Sequence, residues 1–112
     1  MSFKIFDSNI VLTRGDTFKT KIDIFTDKKR TNKYIPVEGD RMTFAVKKTY
    51  SDPKPVILKE IPIDTCVIHL TPEDTKRLPQ PSEWVYEVEM TLNNGFVDTF
   101  LKGRITLTEE VN

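Results

Sequence analysis

The stretch "WVYEVEMTLNNGFVDTFL", Trp84–Leu101, alternates large apolar residues with smaller or polar ones before it reaches an Asn-Asn-Gly sequence. This period of two is typical of a β-strand with one buried face. The residues that share the apolar face are Trp84, Tyr86, Val88, Met90 and Leu92. Asn93-Asn94-Gly95 predicts a hairpin turn, because Asn-Gly tolerates the positive φ angles that two-residue turns require. We therefore expect a central core strand whose antiparallel partner starts at Phe96.

The same alternation recurs on both sides of this stretch. The longer alternating segments are Thr17–Phe25, Arg41–Lys48 and Arg104–Val111, and the shorter ones are Asn9–Thr13, Val56–Ile61 and Cys66–Leu70. Turns rich in Pro, Gly, Asp and Asn separate them, as in all-β domains. The pattern predicts an antiparallel, immunoglobulin-like β-sandwich of roughly seven to nine short strands, with a small barrel as the alternative.

One segment departs from the period of two. In "LTPEDTKRL", Thr71 is suited to cap a helix, Pro72 to occupy its first position and Asp74 to complete a capping box. We expect one short helical turn near residues 72–77.

The composition narrows the classes of function. The chain has 112 residues, and 38% of them are hydrophobic, which favours a single folded domain over residues 1–112. Its 17 basic and 17 acidic residues give no net charge, so the long-range field that draws proteins to nucleic acid or anionic lipid is absent. No apolar run is long enough to cross a membrane, and no signal peptide is recognisable. We expect a protein partner, with neither nucleic acid nor membrane involved.

The inventory of chemically active side chains is thin. His69 stands between two apolar strand residues, which favours a solvated strand histidine over a catalytic base. Cys66 is the single cysteine, so an internal disulfide is excluded, and its apolar surroundings favour a buried thiol over a reactive one. Ligands for zinc are lacking. The sequence predicts a non-enzymatic protein without catalytic residues, cofactor or metal.

Arg14-Gly15-Asp16 spells the tripeptide that integrins bind. The structural interpretation is a turn, in which Gly15 supplies backbone freedom and Asp16 bonds nearby amides. The adhesive interpretation needs an exposed loop and an extracellular protein, and the remainder of the sequence favours the turn.

The order of "LTRGDTF", "YIPVEGDRMTFAVKK", "LTPEDTKRLP", "WVYEVEMTLNNGFVDTF" and "GRITLTEEV" resembles a family of short proteins from phages and prophages of Gram-positive bacteria. It is similar to the immunoglobulin-like N-terminal domain of baseplate upper proteins of lactococcal phages. The sequence departs from that pattern at Pro81, Ser82 and Glu83, where relatives tend to have a glycine. A looser likeness to immunoglobulin domains rests on "PEDT" followed by Tyr86, which echoes a tyrosine corner.

The resemblance implies a structural protein of a tail or baseplate, made in the host bacterial cytoplasm and then carried in the virion. Its partners would be other virion proteins or copies of itself, as a homo-oligomer in the assembly. If Val97, Thr99 and Leu101 face the core, Phe96 and Phe100 project outward as a partner-binding patch. A strand buried on both faces, or one of the opposite parity, would bury them instead. Tyr50 is the third candidate for partner binding.

Two other functions remain open at the level of sequence. The first is an adhesion or carbohydrate-binding module, in which Trp84, Tyr86 or Tyr50 would stack on a sugar ring. The second is an inhibitor or regulatory protein of a prophage.

Overall fold

The computed structural model describes residues 6–27, 29, 31–78 and 83–109, with side chains from Ser8 onward. This part of the chain contains ten strands and one short helix. The strands are β1 (Phe6–Asp7), β2 (Ile10–Thr13), β3 (Phe18–Lys21), β4 (Ile24–Phe25), β5 (Lys33–Tyr34), β6 (Arg41–Lys47), β7 (Ile57–Ile61), β8 (Val67–Leu70), β9 (Glu83–Thr91) and β10 (Val97–Thr108), and the helix is α1 (Pro72–Lys76). The predicted all-β class is confirmed. The strand number was predicted too low, because β1, β4 and β5 are only two residues long.

The largest sheet, called the main sheet below, has the order β1-β10-β9-β6-β7, and β2 also pairs with β10. The β6–β7, β6–β9 and β9–β10 pairs are antiparallel. However, β1 and β2 both run parallel to β10, so the purely antiparallel prediction is wrong at this edge. The reason is that β2 does not form a hairpin with β3. The chain turns a corner after β2, and β3 pairs instead with β8 in a separate two-stranded sheet.

The core lies on the concave face of the main sheet, which curls into a half-barrel with the β3–β8 sheet opposite. β9 occupies the middle, and the alternation predicted from its sequence is confirmed. Its buried residues Trp84, Tyr86, Val88 and Met90 meet a second buried row from β6, Met42, Phe44 and Val46. The Phe44 and Tyr86 rings lie 5.6 Å apart between centroids. Ile22 and Ile68 close the core from the opposite sheet.

The β9–β10 hairpin forms where the sequence predicts it, with a loop one residue longer. The Leu92 amide donates to the Phe96 carbonyl at 2.8 Å, and the Gly95 amide donates to the Leu92 carbonyl at 2.8 Å. Gly95 has a φ of 90°. The loop is therefore Asn93-Asn94-Gly95, a three-residue hairpin loop that ends in a left-handed glycine.

A bulge in β10 corrects the predicted position of Phe100. Thr99 pairs with Glu89 and Leu101 pairs with Val88, so Phe100 is the extra residue in the ladder. Its side chain is 1% exposed and belongs to the core. The bulge shifts the side-chain parity of the strand, which is why Phe100 at the bulge and Ile105 after it are both buried, although they are five residues apart. Phe100 therefore cannot form an exposed patch with Phe96.

Gly103 is required for the close approach of the β1–β2 link to β10. A Cβ atom at this position would lie 1.7 Å from the Ser8 carbonyl oxygen. The same oxygen accepts a hydrogen bond of 2.7 Å from the Tyr86 hydroxyl. Tyr86 is thus not a tyrosine corner, whose hydroxyl bonds a few residues upstream; it anchors the N-terminal edge of the main sheet.

Helix α1 has the predicted cap. The Thr71 hydroxyl accepts from the Asp74 amide at 3.2 Å, and the Asp74 carboxylate accepts from the Thr71 amide at 2.8 Å. Lys59 forms an ion pair of 2.9 Å with the same carboxylate. The sequence also predicts a loop at Pro79-Gln80-Pro81, and this stretch lies outside the described residues.

Replacing Trp84, which is 7% exposed, tests the central place of β9. We expect Trp84→Ala to cost about 3–5 kcal/mol, since it removes a large buried ring, out of a total stability of about 5–15 kcal/mol. The control is Trp84→Phe, because the buried indole N–H has no hydrogen-bond partner among the described residues. Urea unfolding should show a much smaller loss for the Phe variant. Equal, near-native midpoints for both variants would contradict the core assignment.

Candidate docking surfaces

The residues considered for catalysis do not converge. His69 is exposed on β8 and lies opposite Lys19 of β3. Cys66 is half-buried, and burial raises the pKa of its thiol, which disfavours the reactive thiolate. Within the described ranges, no group of three or more His, Cys, Asp and Glu side chains is placed to hold a metal ion.

The Arg14-Gly15-Asp16 segment is a turn locked against helix α1. The Asp16 amide donates to the Thr13 carbonyl at 3.1 Å, and Gly15 has a φ of 90°. The Arg14 guanidinium donates from Nε to the Leu78 carbonyl at 3.0 Å and from Nη2 to the Lys76 carbonyl at 3.2 Å. These carbonyls lie at the negative end of the helix, where a cation is favourable. The arginine is therefore engaged within the fold.

Thr75 joins this turn to the helix. Its hydroxyl accepts from the Gly15 amide at 2.9 Å and is placed to donate to the Asp16 carbonyl at 3.1 Å. The Thr75 side chain is fully buried. Because the turn connects β2 to β3, this one hydroxyl helps to fix the corner between the main sheet and the opposite sheet.

Thr75→Val keeps the volume of the side chain and removes the hydroxyl. We expect a loss of about 1–3 kcal/mol, because the part-buried Gly15 amide would lose its acceptor. Thr75→Ser retains the hydroxyl and serves as the matched control. Hydrogen exchange at the Gly15 amide should accelerate in the Val variant and stay near the wild-type rate in the Ser variant. Unchanged exchange in both would show that the hydroxyl does not hold the turn.

Asp40 joins two turns at the other end of the main sheet. Its buried carboxylate accepts from the Tyr34 hydroxyl at 2.5 Å, the Val37 amide at 3.0 Å and the Asn93 amide at 3.0 Å. The first two partners belong to the segment before β6, and Asn93 begins the β9–β10 hairpin loop. Gly39 stands against Asn93, where a Cβ atom would meet the Asn93 Cβ at 2.8 Å. The two turns are thus held together as one unit.

The ionisation of this pair follows from its contacts. Burial by itself would raise the pKa of Asp40, but the hydrogen bonds from Tyr34, Val37 and Asn93 outweigh burial and lower that pKa below its ordinary value. Burial, together with the hydrogen bond to Asp40 and its negative charge, raises the pKa of Tyr34 to about 12. Near neutral pH the carboxylate is therefore charged and the phenol is the donor.

Because the pKa of Asp40 is lowered in the folded state, its charged carboxylate stabilises the fold at pH values above the unfolded pKa of about 4. This contribution to stability is lost as the pH falls below the unfolded pKa. We expect Asp40→Asn to cost about 1–3 kcal/mol at pH 7, where the charged acceptor is lost. The difference from wild type should shrink between pH 5 and pH 3, values chosen to bracket the pKa of a free aspartate at about 4. Urea unfolding at several pH values measures this difference in the free energy of unfolding. The control is Asp64→Asn, which changes an exposed carboxylate. A difference that does not change with pH would contradict the ionised carboxylate.

Exposed apolar side chains lie on or beside the two turns joined by Asp40, and we call them the tip patch: Ile35, Val37, Phe96 and Val97, each between 47% and 65% exposed. Phe96 was predicted as a partner-binding residue and is exposed as expected. Ile35, Val37 and Val97 were missed. The available signal was "YIPV", since apolar residues on both sides of a proline in a loop have no strand partner that would bury them.

Tyr50 is 41% exposed and lies in the loop between β6 and β7. Its hydroxyl donates to the Gly103 carbonyl at 2.9 Å, and the Lys102 ammonium lies 5.4 Å from its ring centroid. Part of this side chain is therefore used to fasten the β6–β7 loop. Trp84 and Tyr86 are buried, so neither presents a ring to a sugar.

A groove of about 510 Å³ runs between β2 and β3, and we call it the β2–β3 groove. Its walls come from the two strands, and its floor is formed by Ile68, Tyr86, Phe100 and Leu101. In the described part of the chain β2 pairs only with β10 and β3 only with β8. The groove is therefore the gap through which the half-barrel remains open.

No protein-family model matches this sequence, and no curated protein matches it. Over the described residues, the structure contains no helix with the length and apolar character needed to span a membrane.

Proposed function

We propose that this chain is a non-enzymatic structural protein of a phage or prophage particle, a tail or baseplate component that works by docking to a neighbouring virion protein. The observation that carries the proposal is the tip patch. Apolar side chains exposed together at one end of a small protein are typical of a contact surface. The thin set of reactive side chains in the sequence is in keeping with such a role.

The tip patch is preorganised for binding. Val37 stands on one turn and Phe96 follows the other, and the Asp40 carboxylate holds both turns through backbone amides. Docking then requires little further ordering of the backbone, which is one of the main costs of association. An exposed phenylalanine in such a surface is suited to act as an anchor residue.

The resemblance in sequence to phage baseplate proteins supports the particle assignment and the finer description of the fold. The curled half-barrel, with the β3–β8 sheet opposite the main sheet, is compatible with a divergent immunoglobulin-like sandwich. The protein would be made in the host bacterial cytoplasm and would then remain in the virion. Its immediate partner on the tip patch is a different virion protein, and association between copies of this chain is an outcome that the test below separates.

The test uses a prophage-carrying strain in which the gene is replaced by variants. The test variant is Val37→Ser with Phe96→Ser. The control is Val56→Ser with Leu58→Ser, which changes two other exposed apolar residues, beside and within β7. Mass spectrometry of gradient-purified particles measures how much of the protein is incorporated. We expect wild type and control at one fixed copy number that matches the tail symmetry, and the test variant reduced by more than about tenfold, a loss of roughly 1.4 kcal/mol or more.

We expect thermal unfolding of the purified variants to show that both remain folded, since the replaced side chains are exposed. Equal incorporation of the test variant would overturn the role of the tip patch. Absence of the wild-type protein from particles, despite abundant protein in the lysate, would overturn the virion assignment. Loss of self-association in sedimentation, with incorporation retained, would identify the patch as a contact between copies.

A further inference from the structure

The β2–β3 groove is bordered by backbone groups that no strand satisfies in the described part of the chain. The Ile22 amide donates to the Cys66 carbonyl at 2.9 Å, which fixes the alternation along β3. Every second residue of β3, counted back from Ile22, directs its amide and carbonyl toward β8. The amides and carbonyls of the alternate residues, Lys19 and Lys21, therefore point into the gap. These two residues leave one side of the groove open to backbone pairing.

The opposite wall of the groove, formed by β2, also carries backbone groups that no described strand pairs with. The Arg14 amide donates to the Thr108 carbonyl at 2.8 Å, and this contact fixes the alternation along β2. Ile10 and Leu12 share the phase of Arg14 and face β10, so the backbone of Val11 points into the gap. β2 and β3 are each four residues long, which sets the length of a segment that could pair with both.

The floor of the groove selects apolar side chains. Phe100, Ile68 and Tyr86 are core residues that line the groove, and Ile22 stands beside them on the β3 side. An extended chain between β2 and β3 would direct every second side chain onto this floor. Apolar residues at those positions would extend the existing core, whereas charged ones would be buried without a partner.

The outer side of the groove favours acidic side chains on an added strand. Lys19 and Lys21 are exposed on the outer face of β3, and neither forms an ion pair with another described residue. His69 lies opposite Lys19, and the nearby Glu60 is paired with Arg41 at 3.3 Å. A strand added beside β3 would place its outward side chains next to the two lysines, where acidic residues are favourable and basic residues are not.

We propose that the β2–β3 groove binds an extended segment of a partner protein in which apolar residues alternate with acidic ones. The segment adds as a strand between β2 and β3, and its apolar side chains complete the core of the half-barrel. This form of recognition draws affinity from backbone pairing and specificity from alternate side chains. The inference rests on the docking role proposed above and names the chemistry of a partner at a second surface, distinct from the tip patch.

The experiment uses the full chain and a synthetic peptide of sequence Thr-Val-Glu-Val-Glu-Val-Thr with blocked ends. Two control peptides carry Lys in place of Glu, or Pro in place of the central Val, which removes a backbone donor. Amide chemical shifts of the labelled protein report binding and its position. We expect the largest shifts at Val11, Lys19 and Lys21, with binding about tenfold weaker for either control peptide, a difference of roughly 1.4 kcal/mol.

A charge-reversed protein, Lys19→Glu with Lys21→Glu, should prefer the Lys peptide over the Glu peptide. Its matched control is Lys48→Glu with Lys54→Glu, which changes two exposed lysines in the β6–β7 loop and should keep the wild-type preference. No shifts at millimolar peptide, equal binding of all three peptides, or shifts confined to the tip patch would overturn the inference. None of these results changes the particle incorporation measured above, so failure of this inference can be told from failure of the proposed function.

Discussion

Burial of one face of β9 is the constraint on which the rest of the structure depends. Trp84, Tyr86, Val88 and Met90 point to the same side of the strand, and no water-exposed arrangement of β9 would be stable. The strand lies in the middle of the main sheet, with β6 on one side and β10 on the other. Because β10 is long and bulged, it also supports both N-terminal strands, and the Tyr86 hydroxyl reaches across to bind the Ser8 carbonyl. The core strand and the edge of the sheet are linked by a single side chain.

The half-barrel stays open because the chain leaves the main sheet after β2. The turn at Arg14-Gly15-Asp16 directs β3 to the opposite sheet, and the buried Thr75 hydroxyl holds that turn against helix α1. A tripeptide that suggests cell adhesion in the sequence thus has a structural role in the fold. The same corner creates the β2–β3 groove, so the connection that limits closure of the barrel also produces its most distinctive surface.

Much of the fold could be predicted from the sequence, since alternation identifies the core rows of β6 and β9 and the capping residues identify α1. The parallel pairing of β1 and β2 with β10 could not be predicted, because it depends on contacts between segments far apart in sequence. The candidate site was predicted less well. Phe96 was placed correctly on the surface, whereas Phe100 was misplaced because the bulge reverses the parity of its strand. The alternation of apolar residues in the sequence does not show the register shift between Thr99 and Leu101, which decides whether Phe100 lies on the surface or in the core. Ile35 and Val37 were overlooked because loop residues have no period from which exposure can be inferred.

A cryo-electron microscopy map of the assembled particle would test the docking account most directly. The docking account predicts density for this chain at a fixed position in the tail or baseplate, with Val37 and Phe96 covered by a neighbouring protein. A map in which this chain is present with those residues facing solvent and only other surfaces in contact would contradict the account, as would a complete tail map with no density for the chain.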